Sequence, residues 1–341
     1  MKRANRQVIL KTRPAGMPLE SDFELIETPL AECGEGELLI RTHFTSVDPY
    51  LRGIMREGSG YLGAIAPGDV VPAGSVGEVI ESRHPGFRPG EFVAGMWGWQ
   101  EYGLSDGQGL HRVDPALAPV STALGVLGMP GLTAYFGLLD LGEPKPGETV
   151  LVSGAAGAVG SLAGQIARIR GCRVVGAAGT DEKVRHLVED VGFDAAFNYR
   201  TEPAPLERLR ALCPAGIDVY FDNTGGPLTD AALLHINSFA RIVLCGQIAQ
   251  YNETEIPTGP RLLFQLIVKQ ARMQGFLVFQ FRERYPEGIA QMAAWIREGK
   301  LKYREDIVDG IEQTPRAFIG LFTGDNTGKR LVRYAQAGGG L

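Results

Sequence analysis

Residues 149–171, TVLVSGAAGAVGSLAGQIARIRG, constrain the fold of this chain more than any other stretch. A β-rich run, Thr149–Val152, enters a glycine turn, and a segment with an apolar helical face leaves it. Gly154, Gly157 and Gly160 recur every third residue. Ala155 stands where the first glycine of G-x-G-x-x-G would be, so the match is A-x-G-x-x-G. In such a crook Gly157 lets the backbone approach a pyrophosphate and Gly160 lets the helix pack closely. The helix N-terminus then offers N–H groups and partial positive charge to the phosphates. A second β-rich run, Arg173–Ala177, follows in the required order. The plainer alternative is a tight glycine turn in an α/β domain that holds no ligand.

The rest of the chain falls into two kinds of pattern. From residue 7 to about 125, short β segments such as Phe23–Glu27, Glu37–Phe44, Gly74–Ser82 and Glu91–Trp97 alternate with Gly and Pro turns. That spacing predicts a compact, barrel-like β domain. Trp97 and Trp99 flank Gly98 and are expected on one face of a strand, as core or pocket wall. From Pro130 the pattern changes to alternating α and β. Helices are predicted at 131–140, 158–170, 183–191, 204–212 and 227–237, and strands at 149–152, 173–177, 195–199, 217–222 and 240–245. This order implies a parallel sheet with helices on both faces. After a helix at 286–298 the tail Tyr303–Tyr334 reverts to short mixed elements and is expected to rejoin the first domain. The domains are therefore drawn as 1–126 with 299–341, and 127–298. The terminal AQAGGGL reads as a frayed tail.

Composition narrows the function. With 341 residues the chain exceeds one ordinary core, which agrees with two domains. A net charge of −5 gives no basic field for nucleic acid or an anionic membrane. No apolar run approaches the roughly 20 residues that span a bilayer. The basic N-terminal MKRANRQV lacks a following apolar region and is not read as a signal peptide. Cys33, Cys172, Cys213 and Cys245 are scattered, which argues against a zinc knuckle or disulfide framework and suits a reducing cytoplasm.

The second strand of the candidate nucleotide fold ends Ala177-Ala178-Gly179-Thr180, where an NAD site would carry Asp or Glu for the ribose 2′-hydroxyl. Small neutral residues leave room for a 2′-phosphate, and Lys183 one turn later supplies positive charge. Asp181 and Glu182 read as first-turn residues favoured by the helix dipole, with Thr180 as N-cap. The expected cofactor is NADP(H) rather than NAD(H).

The chain resembles the medium-chain dehydrogenase/reductase superfamily, and within it the zinc-free prostaglandin reductase (leukotriene B4 dehydrogenase) group with its bacterial curcumin-reductase-like relatives. The resemblance covers about residues 7–334. Its carriers include SVDPYLRG (46–53), LGMPGLTAYFGL (127–138), GAAGAVGS (154–161), GCRVVGAAGTDEKV (171–184), FDNTGG (221–226), CGQIAQYN (245–252), QGFLVF (274–279) and GDNTGK (324–329). The resemblance implies a GroES-like, β-rich catalytic domain interrupted by a Rossmann domain with a doubly wound parallel sheet, and a cleft between them. It implies cofactor contacts from Gly157, Ala158, Val159 and Gly160 at the pyrophosphate and from Lys183 and Tyr199 near the 2′-phosphate. It implies further contacts from Asn223, Cys245, Gly246, Phe276, Leu277, Val278 and Asn326. Tyr50, Arg52 and Met129 are its candidates for the substrate pocket, although Arg52 equally suits an internal structural role.

Tyr251 is the expected catalytic group, because a phenol can hold a substrate carbonyl and support charge on its oxygen. Zinc enzymes of the superfamily carry Cys and Gly-His-Glu ligands where this chain reads Ser46-Val47-Asp48 and Ala73-Gly74-Ser75-Val76-Gly77-Glu78, so no metal is expected. Without that Lewis acid, hydride addition to a conjugated C=C is easier to sustain than direct alcohol–ketone exchange. The activity implied is NADPH-dependent reduction of the C=C bond of small α,β-unsaturated ketones and aldehydes, by a cytoplasmic homodimer. The alternatives are a quinone reductase of the same superfamily and an NADPH-binding protein without turnover.

Overall fold

The computed structural model describes residues 4–57 and 63–334; the terminal AQAGGGL lies outside them. The chain divides into two compact units, one made of Met1–Leu124, Glu305–Asn326 and Arg330–Leu341, the other of Gly125–Arg304 and Thr327–Lys329.

The first unit is β-rich. It opens with β1 (Ala4–Leu10), β2 (Phe23–Pro29) and β3 (Leu38–Ser46), then a single helical turn α1 (Leu51–Ile54). Next come β4 (Ser75–Ser82), β5 (Phe92–Gly95), β6 (Tyr102–Ser105) and β7 (His111–Val113). The second unit supplies α2 (Met129–Phe136), β8 (Thr149–Val152), α3 (Gly160–Ile169), β9 (Arg173–Ala178), α4 (Asp181–His186), β10 (Ala195–Asn198) and α5 (Pro205–Leu212). It continues with β11 (Ile217–Asp222), α6 (Pro227–Leu233), β12 (Ile236–Leu244), α7 (Phe264–Val268), β13 (Arg272–Gly275) and α8 (Tyr285–Arg297). The chain then returns with β14 (Glu305–Asp309), α9 (Thr314–Thr323) and β15 (Lys329–Arg333).

In the first unit β1 and β2 form an antiparallel pair. The larger sheet runs β14-β15-β3-β4-β5-β7, with β6 also on β3. The returning β15 enters this sheet by pairing Leu331, Val332 and Arg333 with Ser46, Thr45 and Phe44. Trp97 and Trp99 do not share a strand face. β5 stops at Gly95, and Gly98, at φ +86°, turns the chain between the two indoles. Trp97 packs with Leu38, Ile40, Val79 and Val93, whereas Trp99 joins Phe23 and Phe318, each with its ring centre 5.7 Å away.

The second unit holds a six-stranded sheet ordered β10-β9-β8-β11-β12-β13, with every pairing parallel. Val150, Leu151 and Val152 are wholly buried, as a strand covered by helices on both faces requires. Leu162, Ala163, Ile166 and Ala167 give α3 one apolar stripe, which packs in the same core as Val150, Val152 and Val174. The strand order reverses between β8 and β11, the switch point at which such sheets bind ligands. Two boundaries differ from the sequence pattern. α6 ends at Leu233, so β12 starts four residues earlier than its apolar run, and β13 has no β-branched residue to announce it. Pairing with β12 alone makes β13 a strand.

Candidate active site

The turn after β8 shows why this glycine pattern is needed. Gly154, at φ +56°, takes the left-handed conformation, so Ala155 is free to bury its methyl against β9 and donate its N–H to Ala177 O at 3.0 Å. A Cβ on Gly160 would lie 2.4 Å from Gly154 O, so the start of α3 can approach the turn only without one. A Cβ on Gly157 would meet only Gly154 O, in a tight contact at 3.2 Å, so its outer side is otherwise uncrowded. α3 begins at Gly160, after Ala158 and Val159, with no side chain capping its first turn. Gly328, two residues past Asn326, runs alongside the crook and donates its N–H to Ala156 O at 2.8 Å.

Asp222, at the end of β11, is fully buried and anchors the adjoining loops. Its Oδ1 accepts from Ser153 Oγ at 2.8 Å and from Tyr220 OH and the Thr224 and Gly225 N–H groups at 2.9 Å each. Its Oδ2 accepts from Thr229 Oγ1 at 2.6 Å and Gln247 Nε2 at 3.3 Å. Its backbone carbonyl accepts the N–H groups of Cys245 and Gly246. Asn223 donates its amide to Ser153 O at 2.7 Å, which fastens the β11 loop to the crook. Thr224 Oγ1 beside it is buried and has no hydrogen-bond partner. Such an orphan is rare in a finished interior.

At the end of β9, Thr180 Oγ1 accepts the Lys183 N–H at 3.2 Å and caps α4, as its sequence position predicts. Asp181 is engaged by Asn198 Nδ2 at 2.8 Å. Tyr199 OH and Arg200 Nε both converge on Gly179, each 3.2 Å from where its Cβ would stand. Arg200 escaped the sequence reading because a lone arginine after a strand carries no motif.

A cavity of about 780 Å³ opens beyond β12 and β13. It is lined by Cys245, Gly246, Gln247 and Tyr251 from one segment and by Gly275, Phe276, Leu277, Phe279 and Gln280 from the other, with Leu244. Two stretches some 25 residues apart in sequence thus form one wall. Phe276 turns its ring inward, its Cζ only 2.5 Å from where a Cβ on Gly137 would stand, and Val278 is buried. Tyr251 OH accepts the Gln247 N–H at 3.3 Å. Burial, with smaller contributions from Cys245 and Asp222, raises the phenol above its ordinary value, although the Gln247 hydrogen bond opposes that. Burial, and then Asp222, push the Cys245 thiol up to about 12, so it stays protonated.

Met129, Tyr50 and Arg52 are not among the residues that line this cavity. Met129 opens α2 and packs against the core of the second unit. In the first unit Tyr50 packs against the Leu51, Ile54 and Met55 core. Arg52 is 1% exposed and donates to the carbonyls of Gly16 and Pro14, which gives it a scaffolding task.

Residues 6–113 match the family described as N-terminal domain of oxidoreductase, and residues 158–295 match Zinc-binding dehydrogenase. The NADPH-dependent curcumin reductase of Escherichia coli is 44% identical over 98% of this chain and 98% of its own. The NADP(+)-dependent 2-alkenal reductase of Nicotiana tabacum is also 44% identical, over 98% of both chains. The crystal structure of CurA from Vibrio vulnificus in complex with NADPH superposes with a TM-score of 0.93, at 43% identity, over 97% of this chain and 99% of that one. The chain belongs to the medium-chain dehydrogenase/reductase superfamily, in its prostaglandin and curcumin reductase group. Superfamily members with a catalytic zinc need three protein ligands. Among the described residues no group of three or more His, Cys, Asp or Glu side chains is placed to hold an ion. At one expected ligand position Ser46 Oγ instead donates to the Asp48 carboxylate.

Proposed function

We propose that this chain reduces the C=C bond of α,β-unsaturated ketones and aldehydes with NADPH. The observation that carries the reading is the cavity wall on which Tyr251 OH stands beside the Cys245–Gln247 and Phe276–Leu277 segments. The relatives named for curcumin reduction and 2-alkenal reduction, at 44% identity across almost the whole chain, support the substrate class.

The residues fit the cofactor. Gly157 to Gly160, through Ala158 and Val159, form an open crook at an uncapped helix start, suited to a pyrophosphate. Tyr199 and Arg200 converge on Gly179 and Lys183 follows on the first turn of α4, where a 2′-phosphate needs donors, while the nearby Asp181 carboxylate is engaged by Asn198. Asn223 and Thr224 supply polar groups at the end of β11, with Thr224 Oγ1 still unsatisfied. When bound, NADPH supplies the hydride that reduces the conjugated bond.

The chain's own part is orientation and charge stabilisation. Cys245, Gly246, Phe276, Leu277 and Val278 shape the wall on which the reacting groups lie. Tyr251 OH accepts the Gln247 N–H, which fixes the oxygen, and its proton is the group assigned to a substrate carbonyl oxygen. Because burial keeps the phenol protonated, it stabilises the enolate oxygen as a donor throughout the neutral range. Arg52 supports the 14–16 loop.

The same reading makes the enzyme zinc-independent, cytoplasmic and homodimeric. Four unpaired cysteines suit a reducing compartment. β13 ends the parallel sheet, and next to it Phe239, Phe264 and Ile267 are 64%, 66% and 72% exposed. Phe239 is held in solvent at φ +64° by its N–H bond to Lys269 O, a strained placement that suits contact with a second copy. An enone panel settles the activity: NADPH oxidation with the saturated carbonyl as product, undiminished after dialysis against chelator, is the expected result. Faster oxidation with quinones than with any enone overturns it. Sedimentation of Ile267→Asp should show monomer where the parent chain shows dimer.

A further inference from the structure

Gln247 lies on the cavity wall, yet its side chain is committed elsewhere. Its Nε2 donates to the buried Asp222 Oδ2 at 3.3 Å. Its amide also lies flat on Gly225, where a Cβ would come within 2.3 Å of Oε1 and 2.7 Å of Cδ. Gly225, at φ +72°, both turns the chain and leaves the space that the amide fills. The amide is thus clamped between a fixed carboxylate and a residue with no side chain. The backbone of Gln247 is the half that meets chemistry, because its N–H donates to Tyr251 OH. The neighbouring anchors point the same way: Asp222 O holds Cys245 and Gly246, and Asn223 O and Thr224 O hold Ile248 and Ala249.

We propose that Gln247 is the positioning residue for Tyr251: the Asp222–Gln247–Gly225 clamp fixes the backbone N–H that sets the direction of the phenol. The proposal rests on the reading of Tyr251 as the group that holds the substrate oxygen. A donor displaced by about an ångström loses much of its effect on a transition state and little on a bound ground state. Gln247→Ala should therefore lower kcat about tenfold and shift the NADPH Kd, measured by fluorescence titration, by less than about twofold.

A double-mutant cycle separates this from a general loosening of the loop. In a Tyr251→Phe background, Gln247→Ala should cost nothing further. An additive loss overturns the proposal, and so does a rise in NADPH Kd equal to the fall in kcat, which would make Gln247 a cofactor ligand. If Tyr251→Phe alone turns over like the parent, the reading of Tyr251 fails and takes the proposal with it. If Tyr251→Phe is slow and Gln247→Ala is not, only the role of Gln247 falls.

Gln247→Glu gives a second readout that a structural role would not move. It keeps the shape, but sets two carboxylates against each other until they share a proton. Its kcat should be low at pH 9 and recover toward the parent value near pH 6. The other titratable groups around Asp222 are the Tyr220 and Tyr251 phenols, both raised by burial, and the Cys245 thiol at about 12, so none of them changes charge in that window. A flat profile overturns the proposal.

Discussion

The hydroxyl of Tyr251 accepts the backbone N–H of Gln247 at 3.3 Å, and both residues line the same cavity. The phenol oxygen is thereby held by a backbone group that cannot rotate away. Tyr251→Phe removes the hydroxyl and leaves the ring. Turnover of an enone should fall about a hundredfold, the scale of one oxyanion donor, while the NADPH Kd stays near the parent value. Steady-state kinetics beside a fluorescence titration check this, and unchanged kcat would contradict it.

The pH profile follows from the direction of the phenol shift. Burial raises the folded-state value of Tyr251 above the ordinary 10.0. A raised phenol keeps its proton until pH climbs through the higher folded value, so activity persists to that point, whereas stability begins to fall once the unfolded phenol ionises near its ordinary value. The descending limb of kcat should be centred above pH 10. A descending limb centred below 10 that disappears in Tyr251→Phe would reverse the assignment.

Cofactor choice should reside around Gly179. Lys183→Ala and Arg200→Ala each remove a cation next to the proposed 2′-phosphate position, and a charge-assisted hydrogen bond contributes about 1.5–3 kcal/mol. Each variant should therefore weaken NADPH by about tenfold or more and leave NADH binding nearly unchanged. Calorimetric titration with both nucleotides distinguishes this from a general loss of affinity, which would fall on the two equally.

Arg52 should matter to stability more than to substrate. Its buried guanidinium holds the carbonyls of Pro14 and Gly16, and burial drags it down to about 10. Arg52→Ala leaves those carbonyls unpaired, a loss of about 2 kcal/mol or more. Denaturant melts should show that loss, with the enone KM changed little. A stable variant with a high KM would instead return Arg52 to the substrate pocket.

Much of this protein could be read without coordinates. The A-x-G-x-x-G crook, the β8–α3–β9 order and the Thr180 cap are local patterns, and local backbone sterics suffice to specify them. The Cys245–Tyr251 and Phe276–Val278 segments were nameable by resemblance. That they form one cavity wall was not, because the juxtaposition comes from β12 and β13 lying side by side. β13 itself, RMQG, has no β pattern and exists by pairing alone.

Sequence by itself settled the β8–α3–β9 order, the glycines of the crook and the small neutral end of β9, since each depends on sterics or charge within a few residues. Tertiary structure decided the rest. It parted Trp97 from Trp99 into separate cores, and it brought Arg200 over Gly179. It also buried Asp222 where its carboxylate could tie Ser153, Gly225 and Gln247 into one support. Those contacts join residues up to 94 positions apart, as the Ser153 and Gln247 ends of that support are, and only the packing of the sheet determines which distant side chains meet.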